Sequence, residues 1–325
     1  MRAIELRNYG DPLTGFAVVD QPEPAAPGAG EVLIAMDYAP VNLNDLLVMQ
    51  GVFPLRPTLP SAIGNEGVGR VLAIGPDVTG LAVGDVVLLP LYSLTWRERL
   101  VVPASGVVAL PREADRQQLA MLRINAVTAA LLLSEYVDLK PGDWVIQNAG
   151  NSAVSRSVTA IAKSRGLKTI NLVRRPEAVA DAIAAGADAS FVDDQDAPQQ
   201  IAALVGEQGI KLALDGVGGG AVGRLAAILG ARGTVVSYAV LGGDLASSVG
   251  VLDIIFKDLS YRGFYLDKPE YASSIPSIIA EAAALVASKK LRVPIAAVYG
   301  IEDLAKAIQH VQAGGKVLLK FGALK

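Results

Sequence analysis

"VIQNAGNSAVSRSV" occupies residues 145–158. With Trp144 ahead of it, the apolar start reads as a buried strand. Asn148, Ala149 and Gly150 read as a tight turn, and the small residues from Ser152 as the start of a helix. An α/β protein places its phosphate loop in such a unit, because free N–H groups at a helix mouth attract anions. The usual fingerprint has three glycines, whereas here Gly150 is followed by Asn151, Ser152, Ala153, Val154 and Ser155. Gly150 can supply the sharp turn. Ser152, Ala153 and Ser155 are small enough for moderately close approach, and Ser152 can add a hydroxyl hydrogen bond. The turn is a glycine-poor cradle, and strand–turn–helix units of this kind occur throughout α/β proteins.

The flanking sequence extends the pattern. "SAVSRSVTAIAKSRG" reads as a helix closed by Gly166, "KTINLV" as a second strand, and "PEAVADAIAAGA" as a helix with proline near its start. "ASFVDD", "APQQIAALVGEQG", "KLALDGVGG", "GAVGRLAAILGARG" and "TVVSYAV" continue the alternation, and "LAMLRINAVTAALLLSEYV" has helical spacing ahead of it. Strands alternating with helices imply right-handed crossovers and a doubly wound parallel sheet. The first third differs. "EVLIAMDYAPVN" and "EGVGRVLAIGPDVTGLAVGDVVLLP" are strand-like and punctuated by Gly and Pro, as in a small curled barrel. "LSYRGFYL" is a later strand, followed by the long helix "PEYASSIPSIIAEAAALVASKKL", and "KVLLKF" is expected to return to the first domain. The fold class is α/β: a β-rich domain over 1–118 with 267–325, and a doubly wound domain over 119–266.

Composition narrows the chemistry. The 325 residues are 52% hydrophobic with a formal charge of −3, which suits two domains with large cores and argues against nucleic acid and anionic membranes as partners. The chain has no cysteine and a single histidine, His310, which excludes thiol nucleophiles, Cys-ligated zinc and a Ser–His triad. The N-terminus lacks the apolar core of a signal peptide, and no apolar run reaches membrane-spanning length, so a cytoplasmic protein is expected.

The strand after the turn ends "NLVRRP", and Arg174 lies 24 positions after Gly150. That is close to the offset, roughly 20 residues, at which a dinucleotide's ribose is read. Asp or Glu there would accept from a 2′-hydroxyl. Arg174 and Arg175 instead suit a 2′-phosphate through forked, charge-assisted hydrogen bonds, which points to NADPH.

With "NLNDLLVMQG" (42–51), "GNEGV" (64–68), "TWRE" (95–98), "IFKDLSYRGF" (255–264) and "GGKVLL" (314–319), these residues resemble the zinc-free branch of the medium-chain dehydrogenase/reductase superfamily. Within it the chain is most similar to the mitochondrial-type trans-2-enoyl-thioester reductases. Asn65 stands where zinc-dependent relatives carry a histidine ligand, so no metal is expected. The resemblance implies a GroES-like catalytic domain, a Rossmann-type domain with NADPH in the cleft between them, and a homodimer formed by edge strands of the cofactor sheets. It implies cofactor contacts at Asn125, at Asn151, Ser152, Ala153 and Val154, and at Arg174 and Arg175. Further implied contacts are Tyr238, Ala239, Val240 and Leu241, then Phe264, Tyr265 and Leu266, and finally Lys316. Ala153 and Ser155 depart from family glycines, which places added Cβ atoms near the phosphates.

The family assigns substrate activation and protonation to a tyrosine in a Gln-Gly-x-Tyr-Pro segment. Here "QGVFP" puts Phe53 in that place, and a phenyl ring neither donates nor accepts a proton. Asn44 matches the family's nearby polar residue and can orient a carbonyl, while Tyr92 and water stand as alternative proton sources. Trp96 is expected to line the cleft as a packing residue. Three functions are compatible: reduction of an enoyl thioester on CoA or acyl-carrier protein, reduction of a quinone, which takes its proton from solvent, or NADPH binding without catalysis, as in a redox sensor.

Overall fold

The computed structural model describes residues 1–322. The chain forms two compact units: Met1–Ile124 with Ile279–Lys289 and the chain from Val293 onward, and Asn125–Ile278 with Lys290–Arg292. Among the described residues no helix is long and apolar enough to cross a membrane.

The first unit begins with β1 (Arg2–Leu6), β2 (Phe16–Asp20), β3 (Glu31–Val41), α1 (Leu43–Gln50) and β4 (Ser61–Ala62). It continues through β5 (Val68–Ile74), β6 (Val86–Leu88), β7 (Arg99–Pro103), β8 (Val108–Ala109) and the short α2 (Arg116–Leu119). Along β3 the side chains of Val32, Ile34 and Met36 are buried while Leu33, Ala35 and Asp37 are less so. This is the period-2 alternation of a strand with one face on a core. Ile4, Leu46, Met49, Trp96 and Leu100 complete that core.

The helical pattern over 119–137 is broken in the structure. α2 is followed by a π-helical turn, Leu122–Ala126, and only then by α3 (Val127–Ser134). The break goes with a tertiary contact: the N–H of Ile124 donates to the Glu66 carboxylate at 2.9 Å instead of joining a regular helical ladder.

The second unit carries β9 (Trp144–Gln147), α4 (Ala153–Ser164), β10 (Lys168–Val173), α5 (Glu177–Ala184), β11 (Ala189–Val192) and α6 (Ala197–Val205). β12 (Leu212–Asp215), α7 (Gly220–Ile228), β13 (Thr234–Ser237), α8 (Val251–Lys257) and β14 (Ser260–Gly263) follow. All the pairings are parallel, in the order β11-β10-β9-β12-β13-β14. The alternation predicts this doubly wound sheet. β9 is buried at all four positions, as a strand covered on both faces must be. Its one polar side chain, Gln147, donates from Nε2 to Asn171 Oδ1 at 2.9 Å and to the Ser155 carbonyl at 3.0 Å, while its Oε1 is buried with no hydrogen-bond partner among the described residues.

The chain then adds α9 (Ile275–Ala287), β15 (Ile295–Gly300), α10 (Leu304–Ala313) and β16 (Lys316–Lys320). β16 pairs with β15 on one side and antiparallel to β3 on the other, with Val317 opposite Val41. The C-terminal strand therefore lies inside the first unit's sheet, as "KVLLKF" predicts.

Candidate functional site

In the second unit the strand order reverses around β9, and loops at the carboxyl ends of such strands form the crevice where an open α/β sheet binds ligands. Ser152 caps α4, its hydroxyl accepting from the Ser155 N–H at 3.1 Å. The N–H groups of Ala153 and Val154 precede any intrahelical acceptor and so face outward from the helix mouth. Gly150 is required by packing. A Cβ there would sit 2.8 Å from Asn171 Cβ and 2.9 Å from the Leu172 carbonyl oxygen, on the adjacent β10. Ala149 takes a left-handed φ of 48°, which completes the turn.

The turn rests on a buried polar network. Asn148 donates to Asp215 Oδ1 at 2.6 Å and accepts from the Gly216 N–H at 2.7 Å. Asp215 also accepts from the N–H groups of Val217 and Gly218, both at 3.1 Å, and from the Ser237 hydroxyl at 2.7 Å. Strand ends β9, β12 and β13 are thus tied together beneath the loop. The Tyr238 hydroxyl is buried beside Ser152 and Ser155, yet it makes no well-formed hydrogen bond. Burial pushes that phenol up to about 12.

Arg174 and Arg175 follow β10 and are exposed, and neither has an ion-pair partner among the described residues. Val240, Leu241 and Tyr265 are exposed, and Ala239 and Leu266 half-buried. Phe264 stacks on Tyr271 with ring centroids 6.0 Å apart. Asn151 to Val154, the two arginines, Tyr238 to Leu241 and Phe264 to Leu266 therefore all lie at or just beyond strand ends on one edge of one sheet. Asn125 is buried on the π-helical turn.

The first unit holds a second polar centre. Asn42 caps α1, its N–H donating to Asp45 Oδ2 at 2.7 Å, and the Asn65 N–H donates to Asp45 Oδ1 at 3.1 Å. The Asn42 amide donates to Glu66 Oε1 at 2.8 Å, and the Lys316 ammonium donates to Asn42 Oδ1. Lys316 is thus neither an ordinary surface lysine nor free to swing: its charge sits in this network. Burial pushes Asp45 up to about 7 and also raises Glu66, with Lys316 opposing both. Burial in turn lowers Lys316. Gly64, beside the cluster at φ 107°, lies so close to Thr95 and Trp96 that a Cβ would come within 2.5 Å of the indole.

Phe53 is half-buried just past α1, with Tyr92 edge-on at 6.3 Å between centroids. Asn44, half-buried in the first turn of α1, has no hydrogen-bond partner among the described residues. Trp96 corrects the sequence reading. It is 0% exposed and donates from Nε1 to the Pro40 carbonyl, so it packs the core and lines no cleft. His310 packs against Tyr299 near the C-terminus. Sequence reasoning missed the Asp45–Glu66 pair and the Asn148–Asp215 support. The latter had a signal in "LALDGVGG", an acid closing an apolar strand just before a glycine turn.

Residues 28–112 match the family description "Alcohol dehydrogenase GroES-like domain" and residues 153–288 match "Zinc-binding dehydrogenase". The residues do not fit a zinc ion. The chain has no cysteine and one histidine, and among the described residues no three His, Cys, Asp or Glu side chains gather. The mitochondrial enoyl-[acyl-carrier-protein] reductase of Homo sapiens is 33% identical over 329 residues, covering 95% of this chain and 85% of that protein. The structure of the Etr1p/NADP/crotonyl-CoA complex superposes with a TM-score of 0.88 at 24% identity, covering 98% and 99% of the two chains. A mycobacterial quinone oxidoreductase does so at 0.84 and 27% identity, with the same coverage. Near-complete coverage at this identity is the mark of common descent, and the chain belongs to the medium-chain dehydrogenase/reductase superfamily, in the branch of the enoyl-thioester reductases and quinone oxidoreductases.

Proposed function

We propose that the protein is an NADPH-dependent reductase of activated double bonds, acting without a metal on a trans-2-enoyl thioester carried by CoA or acyl-carrier protein. The observation that carries the reading is the pairing, on neighbouring parallel strands, of a capped helix mouth after Gly150 with the guanidiniums of Arg174 and Arg175, which have no ion-pair partner among the described residues. The dinucleotide fits this edge. The buried Tyr238 hydroxyl has an open hydrogen-bonding capacity beside the loop, and close backbone packing at Gly150 keeps the turn tight. When bound, NADPH supplies the hydride that goes to the β-carbon. The chain's own residues do the rest. The N–H groups at the start of α4 hold the diphosphate, and Arg174 and Arg175 take the 2′-phosphate. Asn44, whose amide has no partner among the described residues, orients the thioester carbonyl, and Phe53 occupies the family's tyrosine position.

Phe53 also favours a second reading, quinone reduction, since a quinone takes its proton from solvent and loses little when that hydroxyl is absent. In calorimetry NADPH is expected to bind at least tenfold tighter than NADH. The R174A/R175A variant should lose about tenfold or more in NADPH affinity, in line with charged hydrogen bonds worth ~1.5–3 kcal/mol each, while NADH binding changes little. Equal affinity for both coenzymes would overturn the cofactor assignment. Anaerobic NADPH oxidation with crotonyl-CoA and with a simple quinone separates the two substrate classes.

The protein is further read as a homodimer joined along β14. That strand ends the six-stranded sheet and all four of its residues are exposed. Beside it in sequence, α8 exposes Val251, Leu252, Ile255 and, at 80%, Phe256. An open edge next to uncovered apolar side chains calls for a partner.

A further inference from the structure

We infer that the Tyr92 hydroxyl is the proton donor to the substrate, in place of the hydroxyl that Phe53 lacks. The inference rests on the enoyl-thioester reading above and adds the group that reading leaves unassigned.

Three observations carry it. Tyr92 is the aromatic neighbour of Phe53, meeting it edge to face at 6.3 Å between centroids with the ring planes at 62°. Both residues are only half-buried, so neither is consumed by the core. A phenol in this place lies about one ring away from the family's tyrosine position.

The second observation is backbone strain. Tyr92 takes φ 63°, and Leu94 follows at 57°. Left-handed backbone is costly for a bulky L-residue, and such conformations persist where the surroundings over-determine them, often at functional sites. Here the surroundings do so. The Tyr92 N–H donates to the Asn65 carbonyl at 2.8 Å, the Ser93 hydroxyl to the Pro90 carbonyl at 2.7 Å, and the Thr95 N–H to the Gly64 carbonyl at 3.0 Å.

The third observation is the company Tyr92 keeps. Asn65, which holds its backbone, is itself held by Asp45, and Asp45 caps the helix that presents Asn44 and leads to Phe53. The carbonyl-orienting amide, the phenyl ring and the phenol thus hang from one rigid frame within one unit.

The step balances. Hydride from NADPH forms the β-carbon C–H bond as the carbon–carbon π pair moves toward the thioester carbonyl. The Tyr92 O–H bond breaks as its proton forms the α-carbon C–H bond, and the tyrosinate regains a proton from solvent. The products are the saturated thioester and NADP⁺.

The test compares wild type, Y92F, and Y92F/F53Y for crotonyl-CoA reduction, quinone reduction and NADPH affinity. Y92F is expected to lose at least ~10²-fold in thioester turnover, the range of a positioned general acid, with NADPH affinity and quinone reduction within about threefold of wild type. The double variant, with its hydroxyl back in the family position, is expected to regain most of the loss. Y92F turning over crotonyl-CoA within about threefold of wild type would overturn the assignment and leave the reductase reading intact. Wild type that binds NADPH but reduces no thioester would overturn both.

Discussion

At the scale of single residues, the first unit stores two carboxyl groups and an ammonium away from water. Asp45 accepts two backbone N–H bonds, which favour its charged form, yet burial outweighs them and lifts it to about 7. The folded chain therefore keeps a proton that the unfolded chain releases near its ordinary value of about 3.9. Between about pH 4 and pH 7 the folded state binds more protons than the unfolded state, so stability falls as pH rises through that window. Glu66, also raised, acts with the same sign. Lys316, lowered, acts with the opposite sign below its own ordinary range. Chemical denaturation as a function of pH is expected to show this decline, on the order of 4 kcal/mol, and D45N is expected to flatten it. A D45N slope matching wild type across that window would refute the account. None of this was legible in sequence, because Lys316 and Asn42 are 274 residues apart and only the fold brings them together. The strand, turn and helix around Gly150, and the parallel strand that ends before Arg174, were legible because they follow from one local run of sequence.

Among elements, the same distinction separates what the sequence reveals from what it hides. β9 to β13 each join a short apolar run to a turn, and their helices carry apolar stripes, so the alternation reads directly. The π-helical turn does not, since it goes with a tertiary contact to a carboxylate at position 66. α8 was missed for another reason: its apolar side chains point outward, after a stretch rich in Gly and Ser, so no buried stripe marks it. α4 offers the sharpest test at this scale. Its cap is the Ser152 hydroxyl on the Ser155 N–H, and losing such a cap costs ~1 kcal/mol. S152A is expected to lower the melting temperature by about 2–4 °C and to weaken NADPH binding, because the same hydroxyl shapes the helix mouth. An unchanged melt and unchanged NADPH affinity in calorimetry would show that Ser152 serves neither purpose.

For the whole molecule, the α/β architecture was predictable from the shift in punctuation between the first third of the chain and the middle. Exposure was not, because β14 and α8 look like ordinary strand and helix until their uncovered sides are seen. Light scattering on a sizing column is expected to give a mass of about two chains, and F256E to shift it toward one. A wild-type mass of one chain would remove the edge-to-edge dimer.

The placement of β16 has a consequence for synthesis. This strand sits between β15 and β3, inside a sheet whose other members mostly precede residue 110. As the ribosome releases the chain, the Rossmann-type unit can close as soon as its own strands have emerged. The barrel-like unit must wait with a gap between β3 and its C-terminal neighbours until the final strand arrives. Nascent chains stalled near residue 310 are therefore expected to resist protease in the middle of the sequence and to be cut in the first third.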